Sequence, residues 1–246
     1  MKLQNKVAIV TGGSRGIGAS IAREFASQGA KVVVNYLNNQ EKADVIVADI
    51  IKQGGEAIAV MADVSQLSGI DNLVQQACDA FGGVDILVNN AGWATLERLQ
   101  DITLADTKKQ FELNVFGPIF LTQKISAIMP TGSVIINISS IAAKGGAGGS
   151  IYSATKAAIN TLTKCYASEL GEKGIRVNGI APGAVETDLY IEAGLFKREA
   201  EIIGQTPLNR LGQPEDIASL ALFLACEDSS WITGEVIQIS GGRFMS

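Results

Sequence analysis

No histidine occurs among the 246 residues. A Ser-His-Asp triad, a Cys-His dyad and a His-based zinc site are therefore excluded. Acid–base chemistry near neutral pH must come from Tyr, Lys, Cys or a carboxylate with a shifted pKa. Cysteine is scarce. Cys78, Cys165 and Cys226 are odd in number and lack metal-ligand spacing, so no metal is expected and a reduced, cytoplasmic setting fits. Charged residues are 18% of the chain and hydrophobic ones 47%, with 27 Gly and 5 Pro, a globular balance rather than a disordered or fibrous one. Positive charge is outweighed: 20 Lys and Arg stand against 25 Asp and Glu, a net charge of −5. A mildly acidic surface argues against nucleic acid or an acidic membrane as partner. Long apolar runs are missing too. Residues 217–225 are too short to span a bilayer and include Ser219. Residues 1–6 lead into an apolar strand without a signal-peptide core. The expectation is a cytoplasmic protein with no membrane or nucleic-acid partner.

What is present is a rhythm. Short β-branched runs at 7–10, 32–34, 57–61, 86–88, 134–138, 175–180 and 236–239 read as seven strands. Several are apolar on both faces, as in a parallel sheet covered on both sides. Helical patterns occupy 16–28, 40–53, 68–81, 104–129, 150–172 and 214–226. Strand-helix-strand repetition implies right-handed crossovers and an α/β, doubly wound sheet with helices on both faces. No linker or repeat interrupts it, so residues 1–246 read as a single domain large enough to bury its own core. Residues 185–210 break the rhythm and read as a substrate lid near the strand C-termini.

Directly after the first strand come Gly12, Gly16 and Gly18, with Ser14, Arg15 and Ile17 between them. Glycine permits a tight turn and lets a pyrophosphate approach backbone N–H groups at a helix N-terminus. The order strand, glycines, helix points to a dinucleotide. An NAD site carries Asp or Glu at the end of the second strand, bonding the ribose 2′-OH. Here that strand ends Val34-Asn35-Tyr36, and Arg15 in the glycine loop offers a guanidinium to a 2′-phosphate. Both features point to NADP(H).

The glycine spacing, Asp63-Val64, Asn89-Asn90-Ala91-Gly92, Tyr152-x-x-x-Lys156 and Pro182-Gly183 occur in one order across the chain. This ordered set resembles the short-chain dehydrogenase/reductase family, in particular its 3-oxoacyl-[acyl-carrier-protein] reductase-like subgroup. The resemblance covers essentially the whole chain. It implies a Rossmann-type seven-stranded sheet, an NADP(H) cofactor and a homotetramer or dimer. It also implies that Asp63 and Val64 meet the adenine and that Asn90, Ala91 and Gly92 line the cofactor. Pro182, Gly183, Val185 and Thr187 would lie by the nicotinamide. Read without it, Asp63 is a cap for the following helix and the Asn-Asn-Ala-Gly segment a strand-ending turn.

Tyr152 and Lys156 are four apart in a helical pattern and share one face. A phenol near pKa 10 is a poor acid–base at neutral pH, and a nearby ammonium would lower that value. Tyr152 could then donate a proton to a carbonyl being reduced or take one from an alcohol. In similar enzymes the lysine also holds the nicotinamide ribose. A serine after the fifth strand would bond the substrate oxygen. The strand motif selects Ser140, whereas the family's spacing back from Tyr152 selects Ser139; strand alternation lets only one serve, and Ser140 is preferred. Asn114 matches the family's fourth member, holding a water that links Lys156 to solvent. Its plain reading is a polar kink in a helix.

Trp93, residues 142–146, Leu189, Tyr190 and Phe196 are candidate pocket residues, mostly apolar, as a hydrophobic or modest-sized ketone requires. A carrier protein would need a basic patch at the mouth. Residues 128–132 supply no Lys or Arg, and elsewhere only Lys173 is available. Polyketide-derived naphthol reductases also resemble the chain through Asn35-Tyr36 and Thr187-Asp188-Leu189-Tyr190. A small ketone, a polyol or sugar, and a fused-ring ketone remain open. The enzyme expected is an NADPH-dependent carbonyl reductase acting reversibly on alcohols; the other class is a non-catalytic NADP(H)-binding sensor. The helices at 104–129 and 150–172 and the apolar tail at 237–245 would bury surface in a D₂ homotetramer.

Overall fold

In a computed structural model of the chain, residues 1–145 and 149–243 are described. Gly146 of the candidate pocket and Phe244 and Met245 of the apolar tail lie outside them. The β-branched runs form β1 (Val7–Val10), β2 (Lys31–Tyr36), β3 (Glu56–Met61), β4 (Ile86–Asn89), β5 (Val134–Ile138), β6 (Arg176–Pro182) and β7 (Val236–Ile239). Among the described residues these make one parallel sheet in the order β3-β2-β1-β4-β5-β6-β7. The helices are α1 (Gly16–Ser27), α2 (Gln40–Lys52), α3 (Leu67–Phe81), α4 (Leu104–Phe111), α5 (Gly117–Ser126), α6 (Ser150–Leu170), α7 (Asp188–Glu192), α8 (Glu199–Gly204) and α9 (Pro214–Ala225).

A strand turns successive side chains to opposite faces, so a strand apolar throughout serves two cores. Ala8, Val10, Val32, Val34, Ile86, Val88, Val134 and Ile136 face a core closed by α1, α2 and α9. The residues between them, Ile9, Val33, Leu87 and Ile135, face a core closed by α3, α5 and α6. Burial of each such aliphatic side chain is worth about 1.5–3 kcal/mol. This double burial makes the sheet a rigid base for the loops at its carboxyl edge. Chain order reverses between β1 and β4, so the loops leaving these strands diverge and open a crevice.

The helix expected over 104–129 is broken. A π-helical turn, Glu112–Phe116, separates α4 from α5. Pro118, at the start of α5, has no N–H to give the Asn114 carbonyl and crowds the preceding turn. Gly117 also packs so close to the Val64 carbonyl that a Cβ there would lie 2.7 Å from it. The wide turn carries Asn114 inward, where it is 1% exposed. Residues 185–210 hold α7, a 3-10 turn at Leu195–Arg198 and α8, around a small core of Tyr190, Ile202 and Leu211. No described helix is long and apolar enough to cross a membrane.

Candidate active site

The loop after β1 crosses the carboxyl end of β4. Gly12 and Gly16 have φ of +61° and +53°, a region strained for other residues. A Cβ on Gly18 would collide with the Gly12 carbonyl and the Asn90 amide. Polar groups staple this contact. Asn90 Nδ2 donates to the carbonyls of Thr11 at 2.8 Å and Gly12 at 3.2 Å. Thr11 Oγ1 accepts from the backbone N–H groups of Asn90 and Ala91 at 2.9 and 3.0 Å. Asn35, buried at the end of β2, accepts from the Gly12 N–H and donates to the Ala62 carbonyl at 3.0 Å. It borders the groove, but its side-chain amide, expected to face a cofactor, is engaged in bracing the glycine loop against the β3 end.

The groove so formed holds about 480 Å³ and is lined by Gly12, Ser14, Arg15, Gly16, Ile17, Tyr36, Val64, Asn90, Ala91 and Gly92. Asp63 lines it as well, and its Oδ1 accepts from the N–H and hydroxyl of Ser65 at 2.9 and 2.7 Å, closing the turn before α3 rather than capping the helix, whose N-cap is Gln66. No side chain caps α1, which leaves its first N–H groups to an anion. These residues fit a dinucleotide: glycines where a Cβ would obstruct, a helix N-terminus for a pyrophosphate, and no acid closing β2. Arg15 borders the groove, and in this structure it is paired across it. Its NH1 lies 2.6 Å from Glu192 Oε1 and 3.3 Å from Asp188 Oδ2.

At the end of β5 the chain passes through Ser139 and Ser140, which both line one cavity but bond different partners. Ser139 is 3% exposed and its hydroxyl donates to Asn160 Oδ1 at 2.5 Å, within the core side of α6. Ser140 Oγ accepts from the Ala142 N–H at 3.1 Å and is hydrogen-bonded to the Tyr152 hydroxyl. One helical turn beyond Tyr152, Lys156 is 5% exposed, and its Nζ donates to the Ile138 carbonyl at 2.8 Å. That Nζ is 5.7 Å from the Tyr152 ring centroid. Burial dominates both titrations. It pushes the Tyr152 phenol up to about 12, with the Ser140 hydrogen bond pulling the other way. It pushes Lys156 down to about 8. The expected lowering of the phenol by its neighbouring ammonium is thus corrected: in the folded chain desolvation outweighs it, because the charged form loses water that the single Ser140 contact does not replace.

Asn114 clamps the chain after β4. Its Oδ1 accepts from the Trp93 N–H at 2.9 Å, and its Nδ2 donates to the Trp93 carbonyl at 2.8 Å and to Thr155 Oγ1 at 3.1 Å. The kink is present as the plain reading had it, but the amide serves Trp93 and α6 rather than the freed helix backbone. A second cavity, about 470 Å³, contains Ser140, Tyr152 and Lys156 with Ala142, Pro182, Gly183 and Tyr190. Ile17, Asn90, Gly92, Thr187 and Leu189 line both spaces, so the groove and the cavity adjoin.

Two pocket expectations change. Trp93 borders the groove, not the cavity at Tyr152, because Asn114 fixes its backbone and Lys109 lies 4.0 Å over its ring. Phe196 is 48% exposed and lines neither space. Tyr190 is 4% exposed in the cavity wall, with no hydrogen-bond partner for its hydroxyl among the described residues. Thr187 caps α7 through its Oγ1, 3.2 Å from the Tyr190 N–H. Glu192 escaped the sequence reading, and Asp188 entered it only within Thr187-Asp188-Leu189-Tyr190, although their four-residue spacing puts two acids on one helical face. Lys42, 2.9 Å from Asp188, carried no local signal.

Residues 12–243 match the model of a family described as enoyl-(acyl carrier protein) reductase. A protein of Zymoseptoria tritici named "Probable tetrahydroxynaphthalene reductase" is 41% identical over 257 residues, covering 99% of this chain and 96% of that one. The 7alpha-hydroxysteroid dehydrogenase of Escherichia coli K12 is 41% identical over 245 residues, 98% of this chain and 95% of that one. The structure of a short chain dehydrogenase from Burkholderia cenocepacia J2315 in complex with NADP superposes with a TM-score of 0.93 at 36% identity, covering 99% of both chains.

Proposed function

This chain belongs to the short-chain dehydrogenase/reductase family of NAD(P)-dependent oxidoreductases acting on carbonyl and alcohol groups, and we propose that within it the protein is an NADPH-dependent reductase of cyclic ketones. The carrying observation is the shared wall. The cavity with Ser140, Tyr152 and Lys156 opens onto the dinucleotide-shaped groove through Ile17, Asn90 and Gly92. Two reactants can meet there, beside the hydroxyls of Ser140 and Tyr152.

Gly12, Ser14, Gly16, Ile17 and Gly18 would hold the pyrophosphate, Asp63 and Val64 the adenine, and Asn90, Ala91 and Gly92 the adjoining ribose. Pro182, Gly183, Val185 and Thr187 would meet the nicotinamide, which supplies the hydride when bound. Ser140 orients the ketone oxygen. Tyr152, protonated throughout the neutral range, gives that oxygen its proton. Lys156 stabilises the phenolate left behind, and its own position is fixed by the Ile138 carbonyl. Asn114 is a positioning residue that holds the Trp93 backbone and Thr155 around this centre. Absence of an acid at the end of β2, together with Arg15, supports NADP(H) over NAD(H).

The cavity walls include Ala94, Leu96, Ile141, Ala142, Leu189 and Leu195. Apolar walls of this extent suit a ring system, and the naphthalene and steroid substrates named for two relatives are of that kind. The segment 185–210 acts as the substrate lid. Exposure of Phe116 and Phe120 around α5, and of Trp231 beside the half-buried edge strand β7, supports two interfaces and a homotetramer. A panel of alicyclic, fused-ring, sugar and thioester ketones, scored by NADPH absorbance, tests the assignment. The fused-ring and alicyclic ketones should turn over fastest. Binding of NADPH without turnover of any ketone or alcohol would favour a sensor. Sedimentation at micromolar concentration tests the assembly, and a monomer would remove both interfaces.

A further inference from the structure

Four charges meet across the groove. Arg15 NH1 approaches Glu192 Oε1 at 2.6 Å and Asp188 Oδ2 at 3.3 Å. Lys42 Nζ, from the first turn of α2, approaches the same Asp188 Oδ2 at 2.9 Å. Two cations thus converge on one oxygen. The cations come from the glycine loop and α2, and both acids come from α7 in the segment 185–210. Arg15, Asp188 and Glu192 border the groove together with Tyr36, the last residue of β2, and Leu37, Asn38 and Asn39 after it. A ribose bound at the end of β2 directs its 2′ substituent to this place.

From this geometry we propose that Asp188 and Glu192 are internal competitors for the 2′-phosphate of NADP(H), and that Lys42 is its second cationic partner beside Arg15. The inference rests on the NADP(H) reading above. The charges match: two carboxylates carry the same −2 as a phosphate monoester dianion, and the Asp188 oxygen marks a point that both cations reach. The exchange is easy, because the side chains of all four residues are between 41% and 50% exposed. Ion pairs so exposed are each worth about 0–1 kcal/mol, so water and a phosphate can replace a carboxylate at little cost. A phosphate brings several oxygens to two donors and takes both cations at once. Asp188 and Glu192 therefore set how tightly the protein holds a 2′-phosphorylated cofactor, without touching the reacting atoms.

The test uses two fragments, 2′,5′-ADP and 5′-AMP, titrated calorimetrically into the full chain at low salt. Neutralising both acids, Asp188→Asn with Glu192→Gln, should tighten 2′,5′-ADP about tenfold and change 5′-AMP less than twofold. Lys42→Gln should weaken 2′,5′-ADP about fivefold and leave 5′-AMP unchanged. Equal gains for the two fragments, or no gain for 2′,5′-ADP, would overturn the competition. An unchanged affinity in Lys42→Gln would remove its role as partner. Equal affinity of the unaltered protein for both fragments would instead defeat the NADP(H) reading. The double variant still decides the competition in that case, since unmasking Arg15 and Lys42 should then create a preference for 2′,5′-ADP.

Discussion

Lys156 and Arg15 serve the same cleft and hold their charges in opposite ways. Lys156 is 5% exposed, with one backbone carbonyl as acceptor and no ion-paired carboxylate among the described residues. The Arg15 side chain is 42% exposed and paired with two carboxylates. Burial drives Lys156 down to about 8, whereas Glu192 and Asp188 drive Arg15 further up. The chemical end of the cleft thus keeps a charge in unfavourable surroundings, where a small change of environment shifts a proton. The end proposed for the adenosine keeps charges in water, where partners are exchangeable and no proton moves. In the proposed reading, chemistry and cofactor selection use opposite electrostatics in adjoining parts of one cleft.

The sharpest way to break this contrast is Tyr152→Phe. Loss of the proton donor should lower kcat by about 10³-fold or more, within or above the usual share of a general acid. NADPH affinity, read by fluorescence, should stay within a few-fold, since the phenol is expected to serve the substrate oxygen. Near-normal turnover in this variant would end the proposed mechanism.

Lys156→Met probes the cost of the buried charge. The folded pKa of about 8 lies below the ordinary value of 10.5. Below pH 8 both states hold the proton and the folded state bears the full penalty, about 3 kcal/mol. From pH 8 to 10.5 the unfolded chain binds more protons, so stability rises with pH in that window. Lys156→Met should therefore raise Tm by several degrees at pH 7, progressively less above pH 8, while turnover is lost. A lower Tm at pH 7 would show that the Ile138 hydrogen bond outweighs desolvation. In the unaltered protein, kcat/KM for reduction should fall above about pH 8 as the ammonium is lost.

Ser140→Ala should reduce kcat about 10²-fold, the scale for one donor to a developing oxyanion. Ser139→Ala should do much less to kcat and lower stability instead, because its hydroxyl bonds Asn160 inside the protein. A reversed ranking in steady-state kinetics would show that Ser139 faces the substrate.

The smallest effect belongs to the exposed end. Arg15→Ala should remove about 1–3 kcal/mol of NADP(H) over NAD(H) preference in kcat/KM, with kcat nearly unchanged. Raising salt from 50 to 500 mM should erode the same preference in the unaltered protein and leave NAD(H) use alone. Salt-insensitive preference would place the discrimination outside these charges.

Much of this architecture is legible in the chain itself. Runs such as Val7–Val10 and Val134–Ile138 are apolar at every position, which only a sheet covered on both faces can use. Gly12, Gly16 and Gly18 sit where backbone must approach backbone, and Tyr152 and Lys156 share a helix face through their spacing alone. At 104–129 the helical pattern and a polar kink at Asn114 were legible, but not the full π-helical turn, which goes with the close approach of Gly117 to the Val64 carbonyl from a distant part of the chain. Trp93 read as a pocket residue from its place in the chain, yet its wall is set by Asn114 and Lys109, 21 and 16 positions away.

Local sequence determined the strands, the glycine turn and which side chains share one element, because steric and periodic constraints act over a few residues. It also determined, through the lack of histidine, that acid–base chemistry near neutral pH falls to Tyr, Lys, Cys or a carboxylate. Tertiary structure alone decided which serine meets Tyr152, what Asn114 clamps, and that Arg15 finds Glu192 177 positions away. It also decided the two displaced titrations of Tyr152 and Lys156. Such facts depend on how strand order and helix docking bring distant segments together and shut out water, and neither is encoded in the spacing of neighbours.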